Sequence, residues 1–198
     1  MVSTSEVRKA IDDRFGCEET FEEMANNERI KSKEKAYNYD EIKRSIMGDK
    51  CSSADSLLIK KNVYFIEFKT GFANRKEDVN IKTHKENLKC RIRLKAYESL
   101  ALFEKVILAD VGDGKLWNTI KRHYIAVIDT TDSPKQAYED LLRAKSGKED
   151  TRSQMEKDLF ENSLLNYRKE TKDGRKVFFD ETKVWYDYEF DSKVVTMK

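Results

Sequence analysis

The chain has little of several things that define common protein classes. One proline and seven glycines in 198 residues leave too few turn-formers for a collagen-like chain or a turn-dense β-sandwich. Three cysteines, Cys17, Cys51 and Cys90, are scattered and form no C-x-x-C pair, so reduced thiols are expected rather than a disulfide framework. The two histidines, His84 and His123, lack H-E-x-x-H spacing and a cysteine partner, which argues against zinc. No G-x-x-x-x-G-K-[ST] sequence exists, so no ATP-driven motor is expected. The longest unbroken apolar run, Tyr124 to Ile128, is five residues, while a bilayer span needs about 20. Residues Met1 to Ala10 carry no apolar block after a basic start, so a cytoplasmic protein without a membrane partner is expected. Repeats, low-complexity tracts and linkers are missing too, and one domain over 1–198 follows.

What is abundant is charge: 38% of residues are charged, and Lys+Arg 39 against Asp+Glu 37 gives a net of +2. That balance alone implies no polyanionic partner. Its distribution is uneven, because residues 1–55 hold 10 basic and 13 acidic side chains whereas 74–95 hold 8 basic and 3 acidic.

Periodicity predicts the elements. Ser5 is placed to cap a first helix at Glu6-Val7, and Phe21, Met24, Ile30, Tyr37, Ile42 and Ile46 read as a helical stripe that ends at Gly48. Two strands around 57–59 and 63–69 follow, joined by Lys60-Lys61-Asn62. After a polar loop beyond Gly71, Leu88, Ile92, Ala96, Leu100, Phe103 and Ile107 mark a long amphipathic helix ending before an Asp110–Gly114 loop, read as a turn rather than a calcium loop. A central strand over 123–129 is buried on both faces, and Ser133-Pro134 starts a helix to about Lys145. A helix over 152–169 buries Met155, Leu159, Phe160 and Leu164, and Asp173-Gly174 turns into a terminal strand pair around 177–179 and 184–186. Trp185, Tyr186 and Tyr188 read as core before they read as a base-stacking surface.

Chemistry concentrates at one place. Side chains alternate along a strand, so Phe65, Glu67 and Lys69 share a face. Glu67 therefore lies on an otherwise apolar strand, where an isolated carboxylate costs several kcal/mol unless paired or bound to a cation. If the two strands form a hairpin, Asp55 returns to the level of residues 67–69. Two carboxylates and an ammonium then converge, a donor set suited to magnesium, with manganese as a substitute. Such a centre lowers the pKa of a bound water and neutralises charge at phosphorus, as phosphodiester hydrolysis requires. The plain alternative is an exposed Glu67–Lys69 pair at a strand end.

Asp55 followed by Glu67-Phe68-Lys69 on an apolar strand resembles the signature of the PD-(D/E)XK nuclease superfamily. The wording Tyr64-Phe65-Ile66-Glu67-Phe68-Lys69-Thr70-Gly71 is similar to that of small bacterial and phage-associated proteins with this fold. One departure is Ala54 in place of the motif's proline. The resemblance implies an α/β fold with a restriction-endonuclease-like core of helix, three strands, helix and strand. That core is a central mixed sheet flanked by helices over about 20–130, with 131–198 as a C-terminal α+β extension. It further implies Asp55 and Glu67 as ligands of Mg2+, Lys69 as the catalytic lysine, and DNA rather than RNA as substrate. Nucleases of this size often act as homodimers to cut both strands. Family members often add a carboxylate from a preceding helix, for which Glu41 and Glu28 are candidates. Lys95 and Ser99 on the long helix are expected beside the metal ligands, or else Lys95 snorkels at the helix edge. Lys82, Lys85, Lys89, Arg91 and Arg93 are candidate phosphate contacts or a solvated charged face. Two other functions compete: a non-catalytic nucleic-acid-binding or protein-interaction module on the same fold, and a helical protein of unrelated ancestry.

Overall fold

The computed structural model describes residues 3–70, 81–111, 120–129, 146, 155–161, 163–166 and 177–198. Helix α1 (Thr4–Arg14) starts at Ser3 rather than Ser5: Ser3 Oγ accepts from the Glu6 amide at 3.3 Å while Glu6 accepts from the Ser3 amide at 2.7 Å. This reciprocal capping satisfies two otherwise orphaned donors. Val7 and Ile11, one turn apart, bury its inner face.

The region after α1 departs from the all-helical expectation. Strand β1 (Glu18–Thr20), helix α2 (Phe21–Ala25) and strand β2 (Lys35–Asn38) precede helix α3 (Tyr39–Met47), which Asn38 caps and Gly48 stops at φ 62°. Tyr37 belongs to β2, pairing with Glu18 on one side and Leu57 on the other. Its spacing to Ile42 and Ile46 suits a helix, but cross-strand pairing prevails over local period.

Strands β3 (Ser56–Ile59) and β4 (Val63–Lys69) form the expected hairpin, in the register Ser56 opposite Ile66 and Ile59 opposite Val63. Helix α4 (Ile81–Leu102) runs on through a π-helical turn (Phe103–Ile107) into α5 (Leu108–Val111), so it extends past Asp110. Strand β5 (Arg122–Ile128) lies parallel to β4, which the α4 crossover makes possible. Together these strands and strand β6 (Glu181–Tyr186) make a six-stranded mixed sheet in sequence order, antiparallel from β1 to β4 and parallel from β4 to β6.

Helices cover both faces. Val7, Ile11, Ile42, Ile92, Ala96, Phe103, Leu159 and Phe160 pack on the face bearing Leu57, Phe65, Tyr124 and Ala126. Phe21, Ala25, Phe190 and Val194 pack on the face bearing Leu58, Tyr64, Ile66 and Val127. The protein is thus an α/β structure in which β4 and β5 are interior strands.

The C-terminal expectations need three corrections. Residues 177–180 are not a strand: Phe179 is fully buried against Phe65 and Tyr124, with ring centroids 5.7 and 5.4 Å away. A parallel β6 cannot be reached from a paired neighbour by a tight turn, so these aromatics plug the core instead. The chain after β6 is helix α6 (Asp187–Val194), with Phe190 and Val194 buried one turn apart. Where one helix over 152–169 is expected, the described residues form a π-helical turn (Lys157–Glu161) and a separate 3-10 turn (Leu164–Asn166), and Leu164 is 64% exposed with Leu165 buried in its place. Trp185 and Tyr186 are largely covered, whereas Tyr188 is exposed. The helix from Ser133 to Lys145, the loop after Gly71 and the Asp173-Gly174 turn lie outside the described residues. All three cysteines are free thiols, and Cys90 is exposed. Among the described residues no helix is long and apolar enough to cross a membrane.

Candidate active site

The hairpin register sets the geometry. Because Ser56 faces Ile66, the preceding Asp55 comes level with Glu67, as expected. Two main-chain anchors fix it there. The Tyr39 amide donates to the Asp55 carbonyl at 3.0 Å, and Asp55 Oδ2 accepts from the Phe68 amide at 2.6 Å. The carboxylate therefore closes the open end of the β3–β4 ladder.

Glu67 is fully buried, on the same face of β4 as Phe65. The exposed strand-end pair is excluded. Lys69, at the end of β4, places Nζ 3.8 Å from Glu67 Oε1. Asp55, Lys69 and Lys95 side chains are 19%, 21% and 20% exposed, so the cluster opens to solvent on one side while Glu67 forms its floor.

Lys95 sits nearer than expected. Its Nζ lies 2.9 Å from Asp55 Oδ1 and 2.8 Å from Glu67 Oε2, bridging both carboxylates rather than lying behind them or snorkelling away. Ser99, one turn on, does not reach the carboxylates; its Oγ accepts from the Ala54 amide at 2.6 Å, and its carbonyl accepts from Tyr39 Oη at 2.9 Å. Ser99 thus positions the residue before Asp55. One face of α4 delivers both interactions because residues four apart share a face.

The electrostatics follow from burial. Removal from water pushes the Glu67 carboxyl well above the ordinary carboxylate range, and the Asp55 charge pushes it further, against the pull of Lys95 and Lys69. For Lys95, burial acts downward, but Glu67 and Asp55 outweigh it and the net shift is upward. Tyr124, buried nearby, is pushed well up by burial and then by the same two carboxylates. Glu67 Oε1 is buried with no hydrogen-bond partner, which is costly and which a bound cation would repay.

The other candidates lie elsewhere or do other work. Glu41 is exposed on α3 and lines a cavity of about 400 Å³ with Arg14, Cys17 and Arg44, away from the two carboxylates. Glu28 is exposed in the turn after α2. Neither supplies a third ligand, and among the described residues no cluster of three or more His, Cys, Asp or Glu is placed to hold a metal. Lys89 pairs with Glu86 and Asp158 at 2.9 and 3.1 Å, and Arg93 donates to the Leu159 and Asp158 carbonyls. These two side chains bind segment 155–161 to α4. The side chains of Lys82, His84 and Lys85 lie outside the described residues.

Sequence reasoning missed the bridging role of Lys95, although its place on an apolar helix side facing the E-x-K strand was the available signal. Comparison with protein-family models, with curated proteins and with solved structures gives no match to this chain.

Proposed function

We propose that this protein is a metal-dependent nuclease that hydrolyses DNA phosphodiester bonds, with Asp55 and Glu67 as magnesium ligands and Lys69 as the catalytic lysine. The observation that carries the reading is the convergence of two carboxylates, one just ahead of β3 and one on β4, on one cation, with a buried Glu67 oxygen that accepts no hydrogen bond. The residues fit the metal. Magnesium takes one or two protein carboxylates and completes its octahedron with water and phosphate oxygens, and two carboxylates at a partly open site match that habit.

When bound, the ion supplies a water of lowered pKa and neutralises charge at phosphorus. The chain's own residues do the rest. Asp55, anchored through the Phe68 amide, and Glu67, fixed by the strand, hold their oxygens without reorganisation. Lys69 projects from the strand end toward the solvent side and stabilises the extra negative charge on the pentacovalent phosphorane. Water adds to phosphorus, one P–O ester bond breaks, and the products are a phosphate monoester and an alcohol. The element order β2, β3, β4, α4, β5, with β5 parallel to β4, supports the nuclease-like core. DNA as substrate rests on the family resemblance alone.

A second reading, a binding module that inherited the fold, is favoured by the Lys95 bridge, which already neutralises much of the acidic pair. Cleavage of plasmid and oligonucleotide in Mg2+ or Mn2+ separates the two. Wild type should nick, and Lys69→Ala and Glu67→Ala should lose at least 100-fold in rate while remaining folded, the scale of one lost charge-stabilising group. Salt-dependent binding without cleavage supports the module instead. Equal cleavage by wild type and variants counts against the site.

A further inference from the structure

We propose that Lys95 is the resident cation of this site and trades places with the divalent ion, its ammonium leaving the Asp55–Glu67 pair as the metal enters. The inference rests on the metal-site reading above and adds a loading step to it.

Three observations carry it. The Lys95 ammonium contacts one oxygen of each carboxylate, at 2.9 and 2.8 Å, which is where a shared cation belongs. A magnesium ion binds carboxylate oxygens at about 2.0–2.1 Å. An ion engaging Asp55 Oδ1 and Glu67 Oε2 would compete with the ammonium for the same two oxygens, which the Lys95 contacts now occupy. Second, the remaining Glu67 oxygen is buried without a hydrogen-bond partner, and Lys69 Nζ, at 3.8 Å, stands beyond hydrogen-bond reach of it. A divalent ion can engage it. Third, Lys95 has an exit: a fifth of its side chain is exposed, and a four-carbon stem lets the ammonium swing to water.

Lys69 does not fill this role. It stands 3.8 Å from Glu67 Oε1, on the opposite oxygen from Lys95, and so remains beside the site when the bridge opens. The division explains why two lysines serve one acidic pair. Lys95 keeps the carboxylates from repelling each other in the metal-free protein, and Lys69 stays for the substrate.

The test reads metal binding, with no turnover. Mn2+ is titrated calorimetrically into full-length wild type, Lys95→Met and Asp55→Asn. Lys95→Met has no bridge to break and should bind at least tenfold more tightly than wild type, while Asp55→Asn should bind more weakly. In wild type, acylation of Lys95 by an amine-reactive reagent, followed by peptide mass spectrometry, should accelerate severalfold on adding Mn2+. Asp55→Asn should lose most of that acceleration. The labelling uses the native protein, so it decides the matter if Lys95→Met fails to fold or the two readouts disagree. Wild type that binds Mn2+ with unchanged Lys95 labelling overturns the exchange and leaves the metal site standing. If neither wild type nor Lys95→Met binds Mn2+, the metal site itself falls, and the exchange with it. Binding by Lys95→Met alone supports the exchange.

Discussion

Removing the bridging ammonium should cost far more than removing the floor carboxylate. Each Lys95 contact, at 2.9 and 2.8 Å, carries a gross attraction of about 6 kcal/mol at an effective dielectric of about 20. Most of that attraction is offset by the desolvation of Glu67 and Lys95, which is several kcal/mol per buried ion. In Lys95→Met the desolvation of Glu67 persists while only the more distant Lys69, 3.8 Å away, is left to offset it, and Asp55 repels it. Breaking a buried pair in this way typically costs about 3–5 kcal/mol, and the partly open mouth places this one near about 3. With a urea slope of roughly 2 kcal/mol per molar, the unfolding midpoint at pH 7 should fall by about 1.5 M. Glu67→Gln removes the buried charge along with its attraction and should shift the midpoint by less than half as much. The deficit of Lys95→Met has a definite pH sign. Glu67 is already raised by burial and by Asp55, and losing Lys95 raises it further, so the folded variant retains a proton that the unfolded chain releases. Stability from that proton is present below the ordinary glutamate range and lost as pH rises through the folded value. Wild type and variant should therefore run together at low pH, and the gap between them should widen once pH rises past the wild-type Glu67 value, up to the still higher value of the variant. Equal costs for the two substitutions, or a gap that narrows with rising pH, would refute the electrostatic account.

Two further outcomes test the framework around the site. Ser99→Ala deletes the acceptor of the buried Ala54 amide and should destabilise by about 1–3 kcal/mol in urea unfolding; a change under about 0.5 would mean that water replaces the hydroxyl. His123 stacks on Tyr64 with centroids 4.6 Å apart, and burial lowers its pKa against the opposing effect of Glu181. The unfolded chain therefore takes up a proton near pH 6.5 that the folded one resists, and stability drops as pH falls through that range. His123→Phe keeps the stack and should flatten the decline between pH 7.5 and 5.5, whereas parallel wild-type and variant profiles would contradict it.

The parts of the fold legible from sequence are those with one dominant signal. The β3–β4 hairpin and β5 are dense in β-branched and aromatic residues, and α4 repeats apolar residues at helical spacing from Leu88 to Leu100, so local preference and tertiary packing agree. Strands β1 and β2 are three and four residues long, too short to establish a period, and exist because β2 pairs with β3. Phe178 and Phe179 look like strand residues because aromatic preference does not distinguish a ladder from a plug. At the site, Asp55, Glu67 and Lys69 were legible because hairpin register alone brings them together. Lys95 was placed on the correct helix side but one layer too far out, since helical period gives a direction and not a distance. The roles of Lys89 and Arg93 depend on segment 155–161 docking on α4, a long-range contact that charge pattern does not encode.

The arrangement makes the site depend on how α4 seats on the sheet. Ser99 holds the Ala54 amide, Lys95 holds Asp55 and Glu67, and both lie on the helix stripe that buries Ile92 and Ala96 against the sheet. Apolar packing of Leu88, Ile92, Ala96 and Leu100 holds this helix on the sheet, and the polar contacts of Lys95 and Ser99 fix its register there. Glu67 reverses that division: its carboxylate opposes the apolar packing on its own strand. A purely structural strand would carry a leucine there, as the rest of the face does with Leu57, Phe65 and Ala126. An acid that burial penalises, with one oxygen accepting no hydrogen bond, lowers the stability of this strand, a cost that the proposed metal site would account for. Glu67→Leu, paired with Lys95→Met to remove the ammonium left with Asp55 alone, should therefore raise the urea midpoint above that of Lys95→Met while abolishing any Mn2+ binding, and a midpoint no higher than that of Lys95→Met would refute the burial argument.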